Sequence, residues 1–540
     1  MSVSHESGAP ATPVAGQEAL GRRRHRGVVI GAVALSLLAA GGVGAIAAQR
    51  MFGSGTSQDA QPATVLPIDA LAYFRADSDP STAQKVAAFR LFDKLPEAKK
   101  ALGDGNPKKA LFELITKDSR DLKDVDYAQE IEPWLGDRVG LAVLAPRNGG
   151  KEPMVVAALQ VKDEAKAREG LERLLQKTGA DFSKLTDAAK ANAASGGLAM
   201  IGSIRGANGR DQDASYWYRE GYMLLTRRSD EQAVRAAVDK GQLSNSQDFT
   251  RDMNDLGEQG VLSGWTDTPK LIEAMNQGDA LPAGTSGLTG LAGRQAGAVR
   301  FDAGHVELAS LTRDNGLNIA HPAIRDLGGL PSDTVGFASG TGGADLITAL
   351  WPKMESLAKE SNGDWDRQLK QFQEQTGIAV PGDLQTLLGK QFDIVVSEKS
   401  VKDQLPVLGL RMLTDSAKAE ALLGNLDKLL RQGTSGGGAT FGLHRRTDGD
   451  FTYVGSTKSY LDELVAGGKL ADDATMREAL PDLDKANGAI YVNLDKIESL
   501  YLNSVSSDQP RDLLSSLKAV GVTTVKNGDR HDGTIRVLVN

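Results

Sequence analysis

The stretch PMVVAALQVKDEAKAREGLERLL, residues 153–175, decides the fold, because the chain repeats it as PVLGLRMLTDSAKAEALLGNLDKLL, residues 406–430. Each copy opens with apolar residues typical of a strand, turns at Asp163 or Asp415, and continues with helical periodicity. One apolar stripe runs along the helical part of both copies. It consists of Ala167, Leu171, Leu174 and Leu175 in the first copy and of Leu422, Leu426, Leu429 and Leu430 in the second. A strand followed by an amphipathic helix is therefore predicted twice.

Other blocks match in the same order on both sides of this pair. LPIDALAYF (66–74) corresponds to LPSDTVGFA (330–338), WLGDRVGLAVLA (134–145) to LLGKQFDIVVSE (387–398), and REGYMLLT (219–226) to DGDFTYVG (448–455). GVLSGWTDTPKLIEAM (260–275) corresponds to GAIYVNLDKIESLYL (488–502), which aligns Asp267 with Asp495. Ordered matches at this many places predict a tandem duplication, with one repeat at residues 66–320 and the other at 328–540.

The predicted strands follow one another in pairs. Where they alternate, apolar and polar residues do so with period two, as in SYWYREGYMLLT, residues 215–226. Each repeat also ends in a predicted hairpin, at residues 296–314 and 520–540. Consecutive pairs joined by short turns favour antiparallel sheets with helices packed on one face. The predicted fold class is α+β, in two related domains.

The N-terminal segment is typical of a membrane anchor. A basic cluster, GRRRHR at residues 21–26, precedes 22 uncharged residues, Gly27 to Ala48. A helix of that length reaches about 33 Å, enough for a hydrocarbon core of roughly 30 Å. We therefore predict a transmembrane helix at 27–48, with a cleavable signal peptide as the alternative because Ala45-Ile46-Ala47 fits a cleavage site. The basic tail, 1–26, is then cytoplasmic, and a flexible linker, 49–65, leads to the exported domains.

Composition excludes several kinds of site. The 540 residues include no cysteine, which excludes disulfides, thiolate zinc sites, cysteine nucleophiles and a lipid-modified cysteine. From Met51 onward the chain has 57 basic and 68 acidic residues, a net charge of −11. A surface of that sign disfavours nucleic acid and anionic lipid as partners.

No catalytic, cofactor-binding or metal-binding residue is predicted. The four histidines beyond the N-terminal segment, His305, His321, His444 and His531, lie far apart in the sequence and lack metal-ligand spacing. SSLK (515–518) and KTG (177–179) are similar to motifs of penicillin-recognising enzymes, but they occur in reverse order and in different repeats. Short motifs of this kind are mostly accidental outside their strand and helix context, so we expect a protein that is not an enzyme.

Two glycine-rich or acidic turns admit a functional and a structural interpretation. In FRADSDPSTAQK, residues 74–85, Asp77 and Asp79 could hold a cation, or Asp79 and Pro80 could begin a helix. The second repeat has Thr341-Gly342-Gly343 in place of Asp77-Ser78-Asp79, which favours the helix entry and leaves Asp77 without a role. ASGTGGADLITAL, residues 338–350, could cradle phosphate, but a tight turn is favoured.

The aromatic cluster Tyr216-Trp217-Tyr218 could form a glycan platform or a lipid-facing rim. Strand alternation instead favours a buried Trp217 with both tyrosines half exposed.

The opening of the first repeat resembles the bacterial domain of unknown function 3352 family. In that family a Pro-x-Asp-Ala-Leu-Ala-Tyr strand enters an Asp-x-Asp-Pro-Ser turn and a helix with Gln-Lys. The matching residues here are Pro67, Asp69, Ala70, Leu71, Ala72, Tyr73, Asp77, Asp79, Pro80, Ser81, Gln84 and Lys85. The resemblance implies one N-terminal membrane span, a large exported region and no assigned activity.

We therefore expect a single-pass, membrane-anchored extracytoplasmic protein that serves the cell envelope as a non-catalytic binding or scaffolding module. Its partners would be the membrane and an envelope protein or an apolar ligand, but not nucleic acid. One alternative is a carrier of a lipid or other apolar ligand in a cavity between sheet and helices. Another is a hydrolase that uses Asp77 or Asp267.

Overall fold

The computed structural model describes residues 61–93, 125–147, 152–177, 199–205, 211–276, 293–314, 316, 319–361, 363–402, 407–433, 443–502 and 508–540. The predicted cytoplasmic tail (1–26), the predicted transmembrane helix (27–48) and residues 49–60 of the predicted linker lie outside these ranges. Within the ranges, every helix is too short or too polar to cross a membrane.

Seventeen strands are described. In the first half of the chain they are β1 (Ala72–Asp77), β2 (Leu135–Leu144), β3 (Met154–Val161), β4 (Ala199–Arg205), β5 (Asp211–Arg219), β6 (Tyr222–Arg227), β7 (Leu262–Asp267), β8 (Arg294–Phe301) and β9 (His305–Arg313). In the second half they are β10 (Thr334–Thr341), β11 (Gln391–Ser397), β12 (Leu408–Leu413), β13 (His444–Asp448), β14 (Phe451–Gly455), β15 (Gly488–Asn493), β16 (Leu517–Asn527) and β17 (Arg530–Val539). Both predicted hairpins, β8–β9 and β16–β17, are confirmed.

The described helices occur between these strands. In the first half they are α1 (Thr82–Asp93), α2 (Glu164–Lys177), α3 (Glu231–Lys240), α4 (Gln247–Leu256) and α5 (Thr268–Asn276). In the second half they are α6 (Gly343–Ser361), α7 (Trp365–Thr376), α8 (Gly382–Leu388), α9 (Lys399–Lys402), α10 (Ser416–Gly433), α11 (Lys458–Ala466), α12 (Ala474–Ala479), α13 (Leu494–Leu502) and α14 (Asp508–Ser515). The mixture of helices with a large antiparallel sheet confirms the α+β class.

One antiparallel sheet contains all the described strands. Its centre is the pairing of β9 with β17, which runs from Arg313 opposite Arg530 to His305 opposite Leu538. Outward from β9 the order is β8, β7, β1, β2, β3, β6, β5 and β4. Outward from β17 the order is β16, β15, β10, β11, β12, β14 and β13. The two halves thus have the same strand order, apart from β4, which extends only the first.

Helices cover both faces of the sheet, so the prediction of helices on one face is wrong. We call the face that carries Tyr73 the first face and the face that carries Phe74 the second. Helices α3, α4, α11 and α12 pack on the first face, and α1, α2 and α10 pack on the second. The reason is visible in β3, whose sequence MVVAALQV is apolar on both sides and therefore needs cover on both.

The described residues begin before the predicted boundary at residue 66. Residues Pro62–Thr64 form a short 3-10 helix, and Ala63 and Val65 are buried in the core of the first half. The predicted linker is therefore too long at its C-terminal end, because these apolar side chains have a place in the core.

Strand register corrects one detail of the sequence alignment. Tyr73 pairs with Trp265 in the first half, and its counterpart Phe337 pairs with Tyr491 in the second. Two residues further on, Asp267 therefore corresponds to Asn493 and not to Asp495. Both side chains cap the following helix: Asp267 Oδ1 accepts the Lys270 N–H at 3.2 Å, and Asn493 Oδ1 accepts the Lys496 N–H at 3.1 Å.

An ionic network on the first face joins the two halves. The buried Asp252 in α4 accepts hydrogen bonds from Arg294 Nε at 2.8 Å, Arg313 Nε at 2.9 Å and Trp265 Nε1 at 3.0 Å. Arg313 also binds Asp529, in the turn between β16 and β17, at 2.5 Å. Burial alone would raise the pKa of Asp252, but hydrogen bonds from Arg294, Trp265 and Arg313 bring it below its ordinary value.

Replacing Arg313 tests this network. We expect Arg313→Met to lower the free energy of unfolding by about 3–5 kcal/mol, because it leaves the buried Asp252 with one fewer cation. Urea unfolding of the purified protein, followed by tryptophan fluorescence, measures the change. Arg445→Met is the control, since the pair of Arg445 with Glu420 is largely exposed and is worth less than about 1 kcal/mol. Equal losses in the two variants would contradict the role of Arg313.

Candidate functional site

Asp77, which had no predicted role, lies buried at the end of β1. Its carboxylate binds the guanidinium groups of Arg75 and Arg138, the latter through Nε at 3.1 Å, and its Oδ1 accepts the Asp79 N–H at 2.9 Å. Asp77 is therefore the anion at the centre of a buried ion cluster on the first face. Both carboxylate oxygens of Asp77 are therefore engaged within the fold, Oδ2 by the two arginines and Oδ1 by a backbone N–H.

The helix entry lies two residues later than predicted. Helix α1 begins at Thr82, and Ser81 Oγ accepts the Gln84 N–H at 3.3 Å. Ser81 is thus the N-cap, and the prediction that Asp79 caps this helix with Pro80 in its first turn is wrong. The carboxylate of Asp79 is buried and forms an ion pair with Lys85 in α1. Its partner is therefore a side chain and not the backbone N–H groups at the start of the helix.

Gln84 attaches α1 to the second face of the sheet. Its side-chain Oε1 accepts the Phe301 N–H at 2.7 Å, and its Nε2 donates to the Phe301 carbonyl at 3.2 Å. The buried amide therefore satisfies both backbone groups at the end of β8. Together, Asp77, Asp79, Ser81, Gln84 and Lys85 form a structural clamp between β1, α1 and β8.

The glycine turn after β10 is also structural. Gly342 has a positive φ of 71°, its N–H donates to the Lys390 carbonyl at 2.9 Å, and the Ala344 N–H donates to the Gly389 carbonyl at 2.9 Å. Both N–H groups are used inside the fold, as a tight turn requires and a phosphate cradle does not.

The structure brings two of the scattered histidines together. The rings of His321 and His531 lie 5.5 Å apart and nearly perpendicular, at 82°. His305 is buried on β9, and His444 is exposed on β13. Among the described residues, no group of three or more histidine, aspartate or glutamate side chains could hold a metal ion.

Trp217 is buried, as alternation predicts, with the Arg235 guanidinium 4.9 Å from its ring centre. Tyr218 is partly exposed, but Tyr216 is buried because it packs against Met223 beneath α2. A cleft of about 390 Å³ lies beside Trp217 and Arg235.

The serine and the lysine of the SSLK segment have other partners in the described part of the chain. Ser515 donates to the Asp512 carbonyl at 3.0 Å, and Lys518 binds Glu478 at 3.3 Å, while Thr178 and Gly179 lie outside the described residues.

A broad apolar surface lies on the second face of the sheet, and the sequence gives no direct indication of it. We call this surface the apolar face. Six adjacent strands each contribute three residues in register. From β9 to β11 these are Val306, Leu308 and Ser310; Val537, Ile535 and Gly533; Val520, Val522 and Thr524; Val492, Ile490 and Gly488; Gly336, Ala338 and Gly340; and Val396, Ile394 and Phe392. None of these eighteen side chains is ionisable.

The apolar face is exposed to solvent along its central row, whereas Val306 at its border packs against the cluster beneath α1. Ile394 and Ile490 are each 47% exposed, and Ile535 is 37% exposed. Five interstrand spacings of about 4.8 Å make the face about 24 Å wide. The three residues on each strand span four steps of about 3.3 Å, which makes the face about 13 Å high. Contiguous apolar surfaces of this size on a folded domain mark interaction sites.

The face is open because corresponding helices leave the two halves in different directions. In the first half, four residues (78–81) separate β1 from α1, which packs on β8 and buries Ala88 and Leu91 with Leu262 and Val299. In the second half, only Gly342 separates β10 from α6, which packs on α7 and α8. A side chain at Gly343 would come within 2.6 Å of Leu388 Cβ, so the glycine allows α6 to approach α8 closely.

Polar residues border the apolar face along one edge. The next residues in register on the second face are Thr312, His531 and Lys526, on β9, β17 and β16. Lys526 Nζ donates to the Ile319 carbonyl at 2.5 Å, and His321 contacts His531. Burial lowers the pKa of His531, and His321 and Lys526 lower it further, whereas Asp532 opposes them. We call His321, Lys526 and His531 the basic edge.

Comparison of this chain with known proteins identifies a protein family. The model of a family described as protein of unknown function (DUF3352) matches residues 28–440. No curated protein matches the chain significantly. A solved structure of TP0453 aligns with 8% identity over 76% of this chain and 98% of that chain, at a TM-score of 0.16, which is too low to bear on fold or function.

Replacing Asp77 tests whether the clamp is structural. We expect Asp77→Ala to lower the free energy of unfolding by about 3–5 kcal/mol, because it removes the buried carboxylate that binds the guanidinium groups of Arg75 and Arg138. Asp267→Asn is a matched control, since Asn493 already caps the corresponding helix, and should cost less than about 1 kcal/mol. Urea unfolding measures both changes. An Asp77→Ala protein as stable as the wild type would restore the view that Asp77 belongs to a functional site.

The buried His305 and the half-buried His531 predict a pH dependence. Burial lowers the pKa of His305, assisted by Arg536, and the pKa of His531 is also lowered. Below the ordinary histidine pKa of about 6.5, the unfolded chain binds more protons than the folded chain, so the free energy of unfolding falls as the pH drops. We expect a loss of stability between pH 7.5 and about pH 5.5 in urea unfolding.

The His305→Gln, His531→Gln double variant should lose much less stability over this pH window. His444→Gln, at an exposed histidine, should keep the wild-type pH dependence. A double variant with the wild-type slope would contradict this assignment.

Proposed function

The chain belongs to the DUF3352 family of proteins of unknown function, and from the geometry of the apolar face we propose that it is a membrane-anchored, extracytoplasmic protein that binds lipid acyl chains without catalysing a reaction. The observation that carries the proposal is the solvent-exposed apolar face, with eighteen in-register residues that include no ionisable side chain.

The dimensions of the face suit an acyl chain. One leaflet of a bilayer, half of a hydrocarbon core of roughly 30 Å, sets a chain length of about 15 Å. The face is about 24 Å across the strands, so a chain can lie along it completely. Each methylene removed from water contributes about 0.8 kcal/mol, and the exposed Ile394, Ile490 and Ile535 provide the contacts.

The border of the face favours an amphiphile over an apolar protein surface as the occupant. Lys526 and His531 are the next residues on the second face of β16 and β17 beyond the apolar face. They place a cation and an imidazole beside the apolar surface. A lipid has the matching arrangement, since its apolar chain ends in a polar headgroup.

The proposed membrane anchor would keep this face close to a source of lipid. Twelve residues, 49–60, separate the predicted span at 27–48 from the first described residue. Even fully extended, they reach at most about 40 Å. The anchored protein would therefore meet lipids at the outer surface of the membrane.

We also propose that the two halves arose by tandem duplication. The common strand order on both sides of the β9–β17 pairing supports this origin.

Two further observations bear on catalysis. Asp77 is bound by two arginines, and Asp267 caps α5 and pairs with Lys270 at 2.7 Å. Both carboxylates have structural partners, which counts against a hydrolase that uses either one.

Fluorescence titration with cis-parinaric acid, a fatty acid whose emission rises in apolar surroundings, tests the proposal. We expect the wild-type protein to bind it and Ile490→Glu to weaken binding at least about tenfold, because a carboxylate would have to be desolvated against the chain.

Val86→Glu is the matched control. Val86 in α1 is also 47% exposed, but it lies outside the apolar face, so this variant should bind like the wild type. Thermal unfolding establishes that both variants are folded. Absence of binding in the wild type, or equal weakening in the two variants, would overturn the proposal.

A further inference from the structure

The basic edge lies where the headgroup of a bound lipid would be. Thr524 and Gly533 are the last residues of the apolar face on β16 and β17, and Lys526 and His531 follow two residues beyond them. Two residues along a strand correspond to about 7 Å. A polar group attached to the end of a chain on the apolar face therefore comes within reach of both side chains.

The basic edge offers donors suited to an anion. Lys526 has three N–H donors, and the Ile319 carbonyl is the acceptor found for them. His321 Nδ1 lies 3.2 Å from the Thr341 carbonyl oxygen, a contact that fixes the orientation of the His321 ring. The rings of His321 and His531 meet edge to face. A neutral imidazole carries one N–H donor, so His531 can add a hydrogen-bond donor beside Lys526 without taking up a proton.

The nearby carboxylate does not compete for this space. Asp532 is adjacent to His531 in β17 and therefore points to the first face of the sheet. There it accepts hydrogen bonds from Arg530 Nε, at 3.1 Å, and from Asn527. The charged or titratable groups that shift the pKa of His531 are Lys526, His321 and Asp532. Lys526 and His321 lie on the same side of the sheet as His531.

From this arrangement we infer that the basic edge, His321, Lys526 and His531, binds the phosphate of a lipid headgroup whose acyl chain lies on the apolar face. The inference rests on the proposed function and adds the class of lipid, a phospholipid. Phosphate oxygens accept a charge-assisted hydrogen bond from the Lys526 ammonium group and can accept neutral hydrogen bonds from imidazole N–H groups.

The acidic character of the whole protein is compatible with this site. A net charge of −11 from Met51 onward disfavours attachment to an anionic membrane surface. Salt screens exposed charges beyond about 8 Å at physiological ionic strength, so a single bound phosphate responds mainly to the groups that touch it.

The test compares two probes with the same chain, 1-oleoylglycerol 3-phosphate and uncharged 1-oleoylglycerol, by isothermal titration calorimetry with the full-length protein in neutral detergent. We expect the phosphorylated probe to bind at least about tenfold more tightly. The double variant Lys526→Gln, His531→Asn should lose this preference and keep the wild-type affinity for 1-oleoylglycerol. Lys458→Gln, at an exposed lysine of α11 on the first face, should keep the preference.

The outcomes separate the two proposals. Equal binding of the two probes, or an equal loss of both in the double variant, would overturn the phosphate site and leave acyl-chain binding intact. Failure of both probes to bind would overturn the proposed function itself. Inorganic phosphate that binds as tightly as the phosphorylated lipid would show a free-anion site and would likewise overturn the inference.

Discussion

The pairing of β9 with β17 is the interaction on which the rest of the structure depends. It closes what would otherwise be an exposed edge on each half and makes one continuous sheet. Arg313 reinforces the joint by linking Asp252 in the first half to Asp529 in the second. The apolar face extends across the same joint, because Leu308 on β9 lies beside Ile535 on β17. The proposed lipid site therefore exists only when the two halves share a sheet.

The two faces of this sheet have different chemical characters. The first face contains the buried ion clusters, Asp77 with Arg75 and Arg138 in one half and Asp393 with Arg411, at 2.7 Å, in the other. These clusters fix strand register, since a buried charge tolerates only the neighbour that neutralises it. The second face has apolar rows, covered by α1 and α2 in the first half and open between β9 and β11. A rigid, charge-paired first face thus supports an apolar second face that can stay exposed without loss of the fold.

Much of the fold could be predicted from local patterns, but the candidate site could not. Period-two alternation and the repeated strand–helix unit indicate antiparallel strands in consecutive pairs. Pairings such as β1 with β7 and β9 with β17 join strands far apart in the sequence, and no local pattern indicates them. Of the two arginines that bind Asp77, Arg75 is a neighbour in β1 but Arg138 lies 61 residues away, so no local pattern reveals the whole cluster. The apolar face is assembled from alternate residues of six strands: Ile490 is followed in the sequence by the buried Tyr491, and Ile535 by the partly exposed Arg536. One signal was available: a single residue between β10 and α6 in place of the four between β1 and α1 indicates that α6 cannot pack as α1 does.

Photolabelling with a diazirine-bearing fatty acid tests the central claim most directly, because it locates the bound chain. Mass spectrometry of the labelled full-length protein should find the label on peptides from β11, β15, β16 and β17, at or next to Ile394, Ile490, Val522 and Ile535. Label concentrated elsewhere, for example at the cleft beside Trp217, or label that excess unlabelled fatty acid does not displace, would contradict acyl-chain binding on the apolar face.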